Sequence, residues 1–168
     1  MEKLTKIYDL NMNLLAVLEN AFAVSYDQPV NQLWTAGFSL PSDDPKNEYC
    51  QPFCFVELFD GDERIDLFRI IKSDYAKQSG QKTVSYSCEH VLATLLDDIM
   101  FQYHQTSGLS PAATISSILL NLTKPRWQVG QVDFSDTVSF KWETENLLSA
   151  IFSLPSAYSD NYLFTWDT

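Results

Sequence analysis

Positive charge is scarce in this chain of 168 residues: 11 Lys and Arg stand against 22 Asp and Glu, a formal net charge of −11. No Lys or Arg occurs between Lys82 and Lys124, while Glu89, Asp97 and Asp98 fall inside that gap. Nucleic-acid affinity comes largely from cations that neutralise phosphates, so the composition excludes a basic recognition stripe. An anionic membrane surface would repel the chain for the same reason. There remains a solvated acidic surface, or one past which something anionic slides without sticking.

Cysteine, glycine and long apolar runs are also in short supply. Three cysteines (Cys50, Cys54, Cys88) are too few for a disulfide framework, and the odd count argues for reduced thiols. The five glycines are scattered singly, so no phosphate-cradling loop is present, and neither H-E-x-x-H nor G-x-S-x-G occurs. The first twenty residues lack an uninterrupted apolar core of signal-peptide length. No apolar run approaches the roughly 18 residues of a membrane span. These features point to a cytoplasmic product, or one that leaves the cell by a route other than secretion. There is no internal repeat or low-complexity segment.

The chain is rich in large apolar side chains, 45% hydrophobic and 14% aromatic, and long enough to bury a real core. Aromatic and β-branched residues suit sheets. "LTKIYDL" and "NLLAVLE", flanking Asn11-Met12-Asn13, read as a hairpin. "AFAVSYD" alternates, and "NQLWTAGFSLP" places Trp34, Ala36, Phe38 and Leu40 on one face, ending at Pro41. "SDDPKNEY" reads as loop or a single helical turn. "FCFVELF" is apolar on both faces and reads as a strand buried on both sides. Asp60-Gly61 then turns it back into "RIDLFRIIK". "AKQSGQK" reads as a polar loop, and "TVSYSC" as a half-buried strand.

Beyond residue 90 the period becomes helical, with Val91, Leu92, Leu95, Leu96, Ile99 and Met100 on one stripe. Ser110-Pro111 is a cap followed by proline at the first helical position, opening a helix with Ile115, Ile118, Leu119 and Leu122 on its stripe and Pro125 beyond it. "VSFKWE" reads as a strand, "TENLLSAIF" as a short helix and "NYLFTW" as a final strand. The expectation is an α+β chain: a β-rich, barrel-like region over 1–82 and a mixed α/β region over 83–168. The sequence stops two residues after Trp166 with no cap or polar tail, which reads as a cut.

Several residues are of types that enzymes use. Cys50, Cys54, Cys88 and His90 together resemble a Cys3His zinc set, but Cys50 and Cys54 flank Pro52 without a glycine knuckle, and packing explains them better. Adjacent Asp97 and Asp98 point about 100° apart on a helix and cannot share a proton as a dyad would. His104 has no Cys or Ser nucleophile near it in sequence. "DGDE" at 60–63 is half a calcium loop interrupted by Arg64 and Ile65, and a hairpin turn accounts for it without an ion. Trp142, in "FKWETENLL", reads as core sooner than as a stacking platform. The residues therefore yield no catalytic, cofactor or metal assignment.

"LWTAGFSLPSDDPKNEYCQPFCFVELFDGDERIDLFRI", "CEHVLATLLDDIMFQYHQ" and "RWQVGQVDF…SFKWETENLLSAIFSLP" closely resemble the amino-terminal region of phage and prophage tail proteins. That family is variously labelled minor structural protein, tail-associated lysin or prophage endopeptidase tail protein. The resemblance implies a baseplate-hub fold, with three copies in a ring continuing the tail tube. It also implies a distal tail protein and a tape-measure protein as neighbours, and a place in the virion tail tip after assembly in the bacterial cytoplasm. An acidic tube wall would let DNA pass unheld, with some of Asp60, Asp62, Glu63 and Asp66 facing the channel. On this reading the segment is structural and not an enzyme. The rivals are a peptidoglycan endopeptidase, as the label suggests, and a receptor- or carbohydrate-binding module using exposed Trp and Tyr side chains.

Overall fold

A computed structural model describes residues 4–78, 81–157 and 162–168. The chain divides into two compact units, Met1–Val91 with Thr168, and Leu92–Asp167. The division falls nine residues later than the 82/83 boundary read from the sequence. The reason is pairing: the strand containing "TVSYSC" lies in the middle of the first unit's sheet and belongs to it.

That sheet has seven antiparallel strands: β1 (Thr5–Tyr8), β2 (Leu14–Leu18), β3 (Phe22–Asp27), β4 (Thr35–Pro41), β5 (Phe55–Asp60), β6 (Glu63–Gln78) and β7 (Gln81–His90). Their order across the sheet is β2-β1-β5-β6-β7-β4-β3. The β1–β2 turn is held by Asp9, whose carboxylate accepts from the Asn11 and Asn13 amides at 2.8 Å each, with Met12 at φ 64°. Gly61, at φ 61°, supplies the left-handed position of the β5–β6 turn that an L side chain would strain. The β6–β7 ladder runs from Phe68↔His90 to Gln78↔Gln81, so the stretch read as a polar loop is mostly strand. Residues 79–80 lie outside the described residues.

A closed barrel is not what forms. Among the described residues β2 pairs with β1 alone and β3 with β4 alone, so the sheet is open. It is nonetheless strongly curled. Leu18 and Phe22, on the two outermost strands, are four residues apart and so within about 14 Å. Seven strands laid flat would span about 29 Å. The Tyr26 hydroxyl also donates to Asp60 Oδ2 at 3.4 Å, although β3 and β5 stand four places apart in the sheet. The curl is fastened by side chains. Lys46, in the 3-10 turn Pro45–Tyr49, donates to the Val17 carbonyl at 2.6 Å and also bonds Glu19. Asn20 Nδ2 donates to Asp44 Oδ2 at 2.8 Å.

The core lies inside this curl. Ile7, Leu18, Phe38, Leu40, Val56, Leu58, Phe68, Ile70, Val84 and Tyr86 form one buried cluster. Each fully buried side chain of this size contributes about 1.5–3 kcal/mol. Phe38 stacks on Tyr86 at 4.8 Å between centroids. The alternation read from "LWTAGFSL" and "TVSYSC" therefore points inward as expected. β5 and the middle of β6 are buried on both faces, because Phe55, Phe59 and Leu67 on the outer side are buried too. This matches the reading of "FCFVELF".

The second unit holds β8 (Ile99–Leu109), α1 (Pro111–Leu119), β9 (Val138–Asn146) and α2 (Leu147–Ser153). β8 and β9 form a separate two-stranded sheet. α1 is capped as read, with the Ser110 hydroxyl accepting from the Ala113 amide at 3.3 Å, and Asn146 caps α2 through the Ser149 amide at 2.8 Å. α1 nevertheless stops well before Pro125, where the Asn121 side-chain amide donates to the Ser117 and Ile118 carbonyls.

Two elements differ from the sequence reading. The helix expected through Met100 is a single 3-10 stretch, Val91–Leu96, after which Ile99 opens β8. Asp97 and Asp98 oppose a helix dipole at its carboxyl end, and "IMFQYHQT" is rich in strand formers with a partner available in β9. The final strand expected at "NYLFTW" is absent among the described residues, where 162–168 are irregular.

Candidate functional site

The polar residues that stand out in the sequence are dispersed by the fold. Cys88 and His90 sit two apart on β7 and face the inside of the curl, and Cys50 joins the same apolar cluster. Burial pushes the Cys50 thiol up to about 12, and pushes Cys54 and Cys88 upward as well. A thiolate is the form that binds metal or attacks a substrate, and these positions disfavour it. His90 turns towards Asp66 instead. Its Nε2 lies 3.1 Å from Asp66 Oδ2, and its ring meets Trp34 and Phe68 edge-on at 5.3 and 5.6 Å. Among the described residues no three His, Cys, Asp or Glu side chains gather as metal ligands.

Asp66 is buried at the same place. Burial alone would raise its carboxyl, but hydrogen bonding from His90, from the Thr168 hydroxyl and from the Leu67 amide outweighs it and holds the group below the usual range. A carboxylate so enclosed cannot line a channel, which removes Asp66 from the acids expected there. Asp60, Asp62 and Glu63 are exposed around the β5–β6 turn. On the opposite face of β6, Arg69 is buried and bonds Glu89 Oε1 at 2.5 Å, with its guanidinium 5.7 Å from the Phe53 ring. Glu57 collects Lys6, Tyr8 and Arg64 at 2.9, 3.1 and 2.8 Å. Burial would raise Glu57, yet these three donors leave its carboxyl lowered.

The remaining candidates lie in the second unit. Asp98 accepts from the Thr123 hydroxyl at 2.5 Å, and His104 Nε2 contacts the Phe101 carbonyl at 3.0 Å. Trp142 is buried, stacks on Phe140 at 5.5 Å and donates to Ser153 Oγ at 3.1 Å. It is core, as its sequence context suggests.

A groove of about 440 Å³ opens on the outside of β3, β4 and β7. Ser25, Thr35, Gly37, Ser39, Ser85 and Ser87 line it, with Ser39 and Ser85 hydroxyls 2.9 Å apart. No His, Lys or Cys is among its lining residues, so these hydroxyls have no strong base to activate them. Gly37 lets the strands approach closely here: a Cβ would stand 3.1 Å from the Tyr86 carbonyl oxygen, a tight contact. One wall of the groove is β3, exposed at five of its six positions and, among the described residues, paired on one side only. The first unit thus offers surface and strand edge.

A model of the prophage endopeptidase tail domain family matches residues 76–168. No curated protein matches the sequence. Among solved structures, prophage tail protein gp18 from Listeria monocytogenes aligns over 92% of this chain and 46% of its own, with a TM-score of 0.66 at 14% identity. A tail protein from Neisseria meningitidis aligns over 88% and 43%, with a TM-score of 0.50 at 9% identity. The E. coli c3393 protein is a type VI secretion component described as similar to T4 bacteriophage tail proteins gp27 and gp5. It aligns over 80% and 41%, with a TM-score of 0.51 at 11% identity. The chain spans less than half the length of each of these structures.

Proposed function

The chain belongs to the prophage endopeptidase tail domain family, and from that premise we propose that it is a structural hub module of a phage tail tip. In this role it joins the tail tube to the distal tip and lines the DNA exit path as a homotrimer, between a distal tail protein and the tape-measure protein. The segment acts by shape and by contact between copies and neighbours, without breaking bonds.

The observation that carries this reading is the open edge of the first unit. Among the described residues β3 exposes five of six positions and pairs only with β4, in a sheet that curls towards closure without completing it. A free strand edge is a template for pairing with another chain and is costly to leave bare in a protein that works alone. The chemistry of the interior supports the same reading. The thiols are held protonated by burial, and His90 is engaged by Asp66. An acidic surface suits the passage of DNA.

The test is sedimentation of the chain alone and mixed with a distal tail protein, alongside incubation with purified peptidoglycan. A complex of defined mass and no release of peptides is the expected outcome. Release of peptides by the pure chain would replace this reading with the endopeptidase one.

A further inference from the structure

The groove outside β3, β4 and β7 has no part in the hub role. Strand register builds it. Phe38 faces Tyr86 and Leu40 faces Val84 on the buried side, so Gly37 opposite Ser87 and Ser39 opposite Ser85 face outward. β3 adds Ser25, opposite Gly37, and Asp27, opposite Thr35. Next along this face comes β6, at the root of the exposed arm that it forms with β7 beyond Thr83. There Lys72 stands opposite Ser87 and Asp74 opposite Ser85, paired with each other at 3.1 Å.

Serine hydroxyls offer the backbone an alternative to a sheet ladder, yet four of them gather on this face. The glycine among them keeps the floor open. A Cβ at Gly37 would stand 3.4 Å from Ser25 Oγ, so the Ser25 hydroxyl lies over the bare backbone of β4. Ser39 is only 8% exposed and shares its hydrogen bond with Ser85. The hydroxyls of Ser25, Thr35 and Ser87 make no hydrogen bond to other described residues.

The lining decides what fits. It holds no Lys, Arg or His, and the chain carries a net charge of −11, so an anion finds no counter-charge. One exposed carboxylate, Asp27, is too little to hold a bare cation. An apolar ligand would cover the hydroxyls without returning the hydrogen bonds they make to water. A match needs a neutral ligand carrying many groups that both donate and accept, as each serine hydroxyl does. Such a ligand replaces groove water bond for bond. The Ser39 and Ser85 hydroxyls, 2.9 Å apart, are spaced like neighbouring hydroxyls on a sugar ring. The volume of about 440 Å³ falls within the usual range for small-molecule sites, about 300–1,000 Å³.

We infer that this groove binds a neutral oligosaccharide, held by the hydroxyls of Ser25, Thr35, Ser39, Ser85 and Ser87. The Lys72–Asp74 pair at its rim meets the next sugar unit along. The site stands apart from the hub role and uses none of the exposed aromatic side chains.

The experiment is an NMR chemical-shift titration of the full chain with maltotriose, cellotriose and the N-acetylglucosamine trisaccharide. Each is taken to ~20 mM, well above the ~1 mM Kd expected of a small ligand held by neutral hydrogen bonds. At least one should bind and move the amide signals of Ser25, Gly37, Ser85 and Ser87. Ser25→Ala/Ser87→Ala removes two hydroxyls that have no partner inside the protein, and should weaken that binding about tenfold. Ser87→Phe fills the groove and should abolish it. Circular dichroism of both variants should match the wild type. Three sugars without effect would overturn the inference. So would shifts centred on Phe101 and Tyr103 in the second unit, or wild-type affinity in both variants.

Discussion

His90 Nε2 lies 3.1 Å from Asp66 Oδ2 inside the curl of the first unit, with His90 fully buried. Removing His90 takes one of several partners from Asp66, which keeps the Leu67 amide, the Thr168 hydroxyl and Arg64 Nη1 at 3.6 Å. His90→Leu should therefore cost about 1–3 kcal/mol. Asp66→Leu should cost less in the His90→Leu background than alone, because the two losses share the His90–Asp66 contact. Urea unfolding of both single variants and the double variant measures the coupling. A double variant as unstable as the sum of the singles would mean that the two side chains do not depend on each other.

Acid should unfold the first unit in a defined direction. Asp66, Glu57 and Asp44 all have carboxyls held below their usual values, Asp66 and Glu57 against the opposing effect of burial. A lowered carboxyl contributes stability that is fully present above the unfolded value of about 4. It is lost as pH falls through the lower folded value. The urea midpoint should accordingly hold steady from neutrality to about pH 5 and then fall. In Asp66→Asn that decline should be shallower, starting from a lower midpoint at neutral pH.

The three thiols should differ in reactivity. Cys50 and Cys88 are buried in the core, with Cys50 pushed up to about 12, whereas Cys54 is half-buried. With a thiol reagent at about pH 8, close to the ordinary cysteine value, Cys54 should label first. Cys50 and Cys88 should label only in denaturant. Peptide mapping by mass spectrometry assigns the order, and early labelling of Cys88 would contradict the packing described.

Trp142 should matter to the second unit as a packing residue. It is buried against Phe140 and bonded to Ser153. Trp142→Ala should cost about 3–5 kcal/mol. Ser153→Ala removes the acceptor of the indole N–H together with the hydroxyl's own bond to the Ala150 carbonyl at 2.7 Å, and should cost about 1–3 kcal/mol. Tryptophan fluorescence during thermal unfolding follows the first, and circular dichroism both.

Local pattern makes much of this fold legible. Phe38 and Leu40, or Val84 and Tyr86, alternate so regularly that their buried face can be read directly. Ser110-Pro111 announces its helix through a hydroxyl acceptor and a missing donor. The failures come where two readings share one pattern. Leu92, Leu95 and Ile99 fit a helical period, yet Ile99 belongs to a strand because β9, far along the chain, offers it a ladder. "AKQSGQK" resembles a loop because it is polar, when polarity there reflects only that both faces of the arm meet water. The His90–Asp66 pair is invisible in the sequence for a different reason. Its members are 24 residues apart, and only the fold of the strands between them brings the two side chains together. For Cys88 and Trp142 the apolar context alone is enough to indicate packing roles. The resemblance to tail proteins adds what no periodicity can.

The ties that fasten the curl have a mechanical consequence. In a barrel sealed by ladders all the way round, strand number and stagger set the circumference, and widening it means breaking backbone pairs. Here Lys46 on Val17, Asn20 on Asp44 and Tyr26 on Asp60 bridge the gap with three polar side chains. Those bonds exchange readily for bonds to water. What holds the curl to its width is therefore the apolar packing inside it, Leu18, Phe38 and Phe68 included, which water cannot replace.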